Sequence, residues 1–152
     1  MPNHLTARYG LIHGAYWASY AAIAAYVNLY LLEMGFSSGA IGVLIALAGL
    51  LSALLQPLAA SYADRETSPN LKAINLAIAA LWMLSALGLL VFHKNKVASL
   101  LFYGGCLSLL QLQTPLVNGL GVTSINCGCK LNYGVSKSVS SVTYALVCLV
   151  LG

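Results

Sequence analysis

The chain has 152 residues, 60% hydrophobic and only 7% charged, with a mean hydropathy of +0.86 and a formal net charge of +4. A soluble domain carries about 25% charged residues, so this composition cannot cover a water-facing surface, and a polytopic membrane protein is left. Its seven Lys and Arg are scattered apart from His93, Lys94 and Lys96. They do not make the basic face that nucleic acid requires, so the expected surroundings are a lipid bilayer and no nucleic acid.

Met1–Arg8 reads as a short polar lead. Tyr9–Leu32 is the first expected span, long enough at about 1.5 Å per residue for a hydrocarbon core of about 30 Å. Glu33–Ser38 reads as a tight turn and Gly39–Tyr62 as the second span, with Gln56 and Pro57 in its second half. A proline inside a soluble helix costs about 3 kcal/mol. A membrane bundle tolerates it, because neighbours re-satisfy the freed carbonyl. Asp64 and Arg65 surface where this apolar run stops, and the turn-rich ETSPN leads to a third span, Leu71–Phe92.

His93–Lys96 reads as another turn. Val97–Leu120 is the fourth span, interrupted by Gly104, Gly105 and Pro115. Gly121–Tyr133 reads as a polar, glycine-containing loop, and Gly134–Gly152 as a fifth span. The expected fold is therefore all-α, with five transmembrane helices. The fifth run stops without a polar flank, so the expectation is a fragment of a longer protein. The first apolar segment is too long for a cleaved signal peptide. Lys and Arg in short loops set orientation: Arg8, Arg65, Lys72 and Lys130, with Lys137 if shallow, fall on one side, and Lys94 and Lys96 on the other. The N-terminus is expected in the cytoplasm, in a plasma (bacterial inner) membrane.

The four cysteines do not suggest a disulfide framework. Cys106 and Cys148 lie in apolar runs; Cys127 and Cys129 share a loop at a spacing that suits a soft metal, with no histidine nearby to complete a site. Inert thiols, no metal and no cofactor are the expectation.

Helix faces carry more. Gly42, Ala46, Gly49 and Ala53 form a small-residue stripe that suits close helix packing. At about 100° per residue, His13, Tyr16, Tyr20 and Asn28 share a broad face of the first span. Gln111, Thr114 and Asn118 share one on the fourth, and Lys137, Ser140, Ser141, Tyr144 and Cys148 one on the fifth. Lipid penalises such faces, so they are expected to line one polar cavity. The plainer arrangement is interhelical hydrogen bonding, worth about 0.6 kcal/mol per contact on average. His13 alone reads more readily as a hydrogen-bonded structural residue than as a proton site.

Three stretches resemble the N-terminal half of a major facilitator superfamily transporter, in its lactose-permease-like group of sugar and nucleoside proton symporters. NLYLLEMGFSSGAIGVLIAL (28–47) is similar to that group's first-helix exit and second-helix start. LLQPLAASYADR (54–65) resembles its Gln-Pro helix, and YGVSKSVSSVTYALVCLVLG (133–152) its fifth helix. The resemblance implies the first five of twelve helices. It also gives Asp64 and Arg65 a gating role in the loop between the second and third helices. That loop departs from the family pattern, with Ala60 for a glycine and Thr67, Ser68, Pro69 and Asn70 where a glycine and paired basic residues belong.

In that group a carboxylate on the fourth helix and an arginine on the fifth hold the sugar, and a tryptophan stacks on it. The matching positions here are Asn118, Lys137 and Tyr144. Lysine keeps the charge without the bidentate fork, so a neutral or anionic solute suits the set better than a galactoside. With Tyr20 and Gln111, these form the expected substrate-binding set. The expected function is secondary transport of a small polar solute (a sugar, nucleoside or organic anion) by alternating access, with a coupling proton as a second passenger. The missing C-terminal half is the expected packing partner, and no catalytic motif points to an enzyme. The rival readings are a non-transporting truncated product or membrane assembly partner, and, further back, a metal or redox protein using Cys127 and Cys129.

Overall fold

The computed structural model describes residues 4–151, and those residues fold into five α-helices with no strand among them. These are α1 (His4–Glu33), α2 (Ser38–Ala63), α3 (Leu71–Val91), α4 (Lys96–Asn126) and α5 (Tyr133–Leu151). The starts are set by side-chain caps, which satisfy backbone N–H groups that lack a helical partner. Ser37 Oγ accepts from the Ala40 amide, and Asn70, Asn95 and Asn132 accept through Oδ1 from Ala73, Ala98 and Val135. Two ends are set by glycine. Gly35 (φ +82°) follows α1 and Gly128 (φ +79°) follows α4, each in the left-handed region that an L side chain resists. Their amides donate to Leu32 and Ile125, while Phe36 and Cys129 donate to Leu31 and Ser124, which closes both helix ends.

Helix α4 overturns one expectation. Gly121–Asn126 continues the helix instead of beginning a loop. Gly121 packs rather than breaks: a Cβ there would stand 2.6 Å from the Tyr9 ring. Helix α1 differs too. Among the described residues, α2, α3, α4 and α5 are long and apolar enough to cross a membrane, and α1 is not among them. Its length suffices, but it carries Arg8, His13, Trp17 and five tyrosines.

The helices pack as two compact units. One comprises α1 up to Ala25, α4 from Val117, and α5; the other comprises the rest of α1, α2, α3 and the first part of α4. In the second unit Ile74 and Ile78 of α3 meet Leu112 and Leu116 of α4, with Leu55, Ala59 and Trp82 around them. Polar side chains cross the same contact. Trp82 Nε1 donates to Gln113 Oε1 (2.8 Å), and Gln113 Nε2 donates to the Asn75 carbonyl (3.1 Å). Asn75 Nδ2 donates to the Leu116 carbonyl at 3.1 Å.

The small-residue stripe on α2 does not make its packing surface. Gly42 faces open space, Ala46 and Ala53 are exposed, and only Gly49 meets a neighbour, Gln111 Oε1. Helix α2 buries Ile41, Ala48 and Ser52 instead. The close approach comes from α4, where a Cβ at Gly104 would lie 2.9 Å from Leu44 Cδ1. Burial is unequal: of the most apolar 18-residue window, 50% is buried in α4 but 17% in α2 and 22% in α3. Leu50, Leu54, Leu58, Leu84, Leu87 and Leu90 are all exposed. An apolar surface this continuous suits lipid, not water.

Both interior prolines lie in unbroken helices. Pro115 cannot donate to the carbonyl four residues back, that of Gln111. Gln56 Nε2, on α2, donates to that carbonyl at 3.2 Å and to Ser52 Oγ at 3.3 Å. One residue before its own proline, Gln56 thus repairs the defect made by another.

Candidate functional site

The first unit assembles a polar centre from three helices. Gly10 and Gly14 let α5 approach α1: Cβ atoms there would lie 3.7 Å from Ser136 Cα and 3.2 Å from Thr143 Oγ1. Thr6 ties the ends, its carbonyl accepting from Ser136 Oγ and its hydroxyl accepting from the Asn132 amide. Across from them, Tyr9 sits over Gly121 and donates to the Val117 carbonyl at 3.2 Å.

Asn118 occupies the middle. Its Oδ1 accepts from His13 Nε2 at 2.9 Å, from Lys137 Nζ at 3.3 Å and from the Tyr133 hydroxyl at 3.4 Å. The acceptor role fixes His13 as the Nε2–H tautomer, and the ring's Nδ1 is buried without a partner among the described residues. Lys137 does not stretch away toward an interface. Its ammonium stays at Asn118 and lies 5.5 Å from the centre of the Tyr133 ring, a cation–π distance.

Aromatic rings continue the site along α1. Tyr133 stacks on Tyr9 with centroids 6.0 Å apart, and Tyr9, His13 and Trp17 follow one another at successive turns. Trp17 meets Tyr20 at 5.4 Å and the edge of Tyr144 at 5.9 Å. Beside them opens a pocket of about 250 Å³ lined by Trp17, Lys137, Ser140, Ser141 and Tyr144. Ser140 and Ser141 turn their hydroxyls back to the Lys137 carbonyl (2.7 and 3.3 Å), which leaves the ammonium as the pocket's principal polar group. Clefts for drug-sized ligands run about 300–1,000 Å³, so this one suits a single small ring.

Of the five residues expected to bind solute, the structure gathers Asn118, Lys137, Tyr144 and Tyr20 in this unit. Gln111 belongs to the other, where its carbonyl accepts from Gln56. Asn28 also falls in the other unit and is exposed. The sequence reading omitted Trp17, Tyr133 and Tyr9. The signal was present: Tyr9, His13 and Trp17 recur every four residues, as neighbours on one helix face do.

Asp64 caps the end of α2, its amide donating to the Ala60 carbonyl, and Ser68 closes the turn by donating to Arg65 and Ala63 carbonyls. Both Asp64 and Arg65 are exposed. Cys127 and Cys129 are exposed on either side of Gly128, and among the described residues no group of three His, Cys, Asp or Glu stands together as a metal site would. A family model described as the MFS_1 like family matches residues 9–152. No curated protein and no solved structure matches the chain.

Proposed function

The chain belongs to the MFS_1 like family of the major facilitator superfamily, and from that membership we propose secondary transport of a small polar solute by alternating access. The observation that supports this reading best is the convergence of His13, Tyr133 and Lys137 on Asn118 beside a ring-sized aromatic pocket. A solute needs polar groups to orient it and apolar walls to exclude water. Lys137 and Asn118 supply the first, Trp17, Tyr20 and Tyr144 the second. Polar groups at membrane depth are costly and mark solute pathways. Every step is binding, reorientation and release, so no nucleophile or general base is required.

Helix α1 is the first membrane helix in this proposal. Its shortage of apolar residues comes from Tyr9, His13 and Tyr16, all buried, while Leu11 and Ile12 are exposed to lipid. The N-terminus lies in the cytoplasm, by the excess of Lys and Arg in the loops on that side, and the membrane is the plasma membrane. Alternating access rocks one half of a transporter against another around a midplane site. These five helices belong to one half, and a second helical half is the main packing partner. Asp64 and Arg65 gate the inner face through contacts to that partner.

Uptake into membrane vesicles, by a full-length protein that carries both helical halves, tests the binding residues. With a panel of radiolabelled sugars, nucleosides and organic acids, Lys137→Ala and Tyr144→Ala are expected to weaken the accumulated solute's apparent affinity by about tenfold each, the worth of about 1.4 kcal/mol of lost contact. Unchanged affinity and rate in both variants would remove them from the site.

A further inference from the structure

We infer that the solute is an anion whose negative group seats on Lys137; this rests on the solute site proposed above and names its charge. The unit that holds the site contains Arg8, Lys130 and Lys137 and not one aspartate or glutamate. The chain's three acidic residues, Glu33, Asp64 and Glu66, all fall in the other unit. Lys137 is half-buried, and the groups its ammonium meets among the described residues of its unit are neutral, the Asn118 amide at 3.3 Å and the Tyr133 ring at 5.5 Å.

The amide is oversubscribed as well. A carbonyl oxygen offers two lone pairs, whereas an ammonium brings three protons. Asn118 Oδ1 is already approached by His13 at 2.9 Å and Tyr133 at 3.4 Å. Lys137 therefore keeps donors and a full charge to spare, on the wall of a pocket whose serines point elsewhere. A charge leaving water needs an opposite charge to offset its desolvation. When the site closes around a solute, a neutral ligand leaves Lys137 unpaired, and a carboxylate or phosphate pairs it. The aromatic walls at Trp17 and Tyr144 then take the rest of a small ring. A site discriminates by what the wrong ligand leaves unpaired, so the preference is for charge before ring identity.

The test uses the full chain in detergent with Trp82→Phe, which leaves Trp17 as its one indole, since the chain has two tryptophans. Quenching of Trp17 is titrated with benzoate against benzamide and glucuronate against glucose, at constant ionic strength. The acid of each pair is expected to saturate about tenfold more tightly than its neutral partner, the margin of a charge-assisted over a neutral hydrogen bond. Lys137→Gln erases that margin and Lys137→Arg keeps it. Asn118→Asp, which retains an acceptor for all three donors, also erases it, because the ammonium then has an internal counter-charge. Equal binding of acid and neutral partners, or a margin that survives Lys137→Gln, overturns the inference and leaves the solute site standing. No saturable response to any of the four overturns both.

Discussion

Asn118→Leu is expected to lower the protein's stability by about 2–4 kcal/mol, seen as an earlier unfolding midpoint in detergent at a fixed heating rate, and to abolish saturable binding at the Trp17 pocket. One oxygen serves three donors, so one substitution strands all three. Hydrogen bonds between membrane helices average about 0.6 kcal/mol each, which sets a floor near 2 kcal/mol for three. The ceiling is higher because His13 is 1% exposed and loses the partner that its Nε2–H has among the described residues. A buried donor left unsatisfied costs about 1–3 kcal/mol. Asn118→Asp is the informative contrast: it keeps the acceptor, adds a charge opposite Lys137, and should match or exceed the parent midpoint. A leucine variant as stable as the parent would mean that the three donors do not depend on Asn118.

The second large effect lies in the other unit. Gln56→Leu is expected to cost about 1–2 kcal/mol, because the Gln111 carbonyl, deprived of a helical partner by Pro115, then has no donor in a lipid-facing bundle. Pro115→Ala supplies an amide at the position where the helix needs one. In the Gln56→Leu, Pro115→Ala double variant the loss should largely disappear, giving a coupling of about 1 kcal/mol or more in a double-mutant cycle. Additive effects would show that Gln56 acts on α2 alone, through Ser52.

These two sites show what the sequence could reveal. Helix identity was legible because apolar runs stop at residues with a reason to stop them. Ser37, Asn70, Asn95 and Asn132 are good caps, and Gly35 supplies a left-handed end. Gly121 misled for the same reason. A glycine among polar residues looks like a breaker, and only the position of Tyr9 from another helix reveals it as a packing surface. The stripe on α2 failed likewise, since small residues mark where a helix can approach, not which helix does.

The juxtaposition of Asn118 with Lys137 followed from family resemblance and helical faces. The hydrogen-bonded role of His13 was legible as well; the part played by Tyr9, Tyr133 and Trp17 was not, because it depends on how three helices rotate about their axes. Gln111 shows the limit of a shared helical face. It shares a helical face with Asn118, yet two turns separate them along α4, and the packing of that helix assigns them to different units. The absence of any acid from the stretches that make up the unit of Lys137 was countable from the beginning, but it acquired meaning only when the unit's membership was known.

The measurement that bears most directly on alternating access is labelling at position 141. Ser141 lines the pocket and is exposed, and its hydroxyl bonds back to its own helix at the Lys137 carbonyl. Cysteine there, with Cys127, Cys129 and Cys148 changed to serine and the buried Cys106 kept, should react with a membrane-impermeant, sulfonate-bearing thiol reagent. Right-side-out and inside-out vesicles expose opposite faces. Labelling from both faces, slowed by benzoate, is the predicted result. Labelling from one face only, or from neither, would contradict a site that opens alternately to the two sides of the membrane.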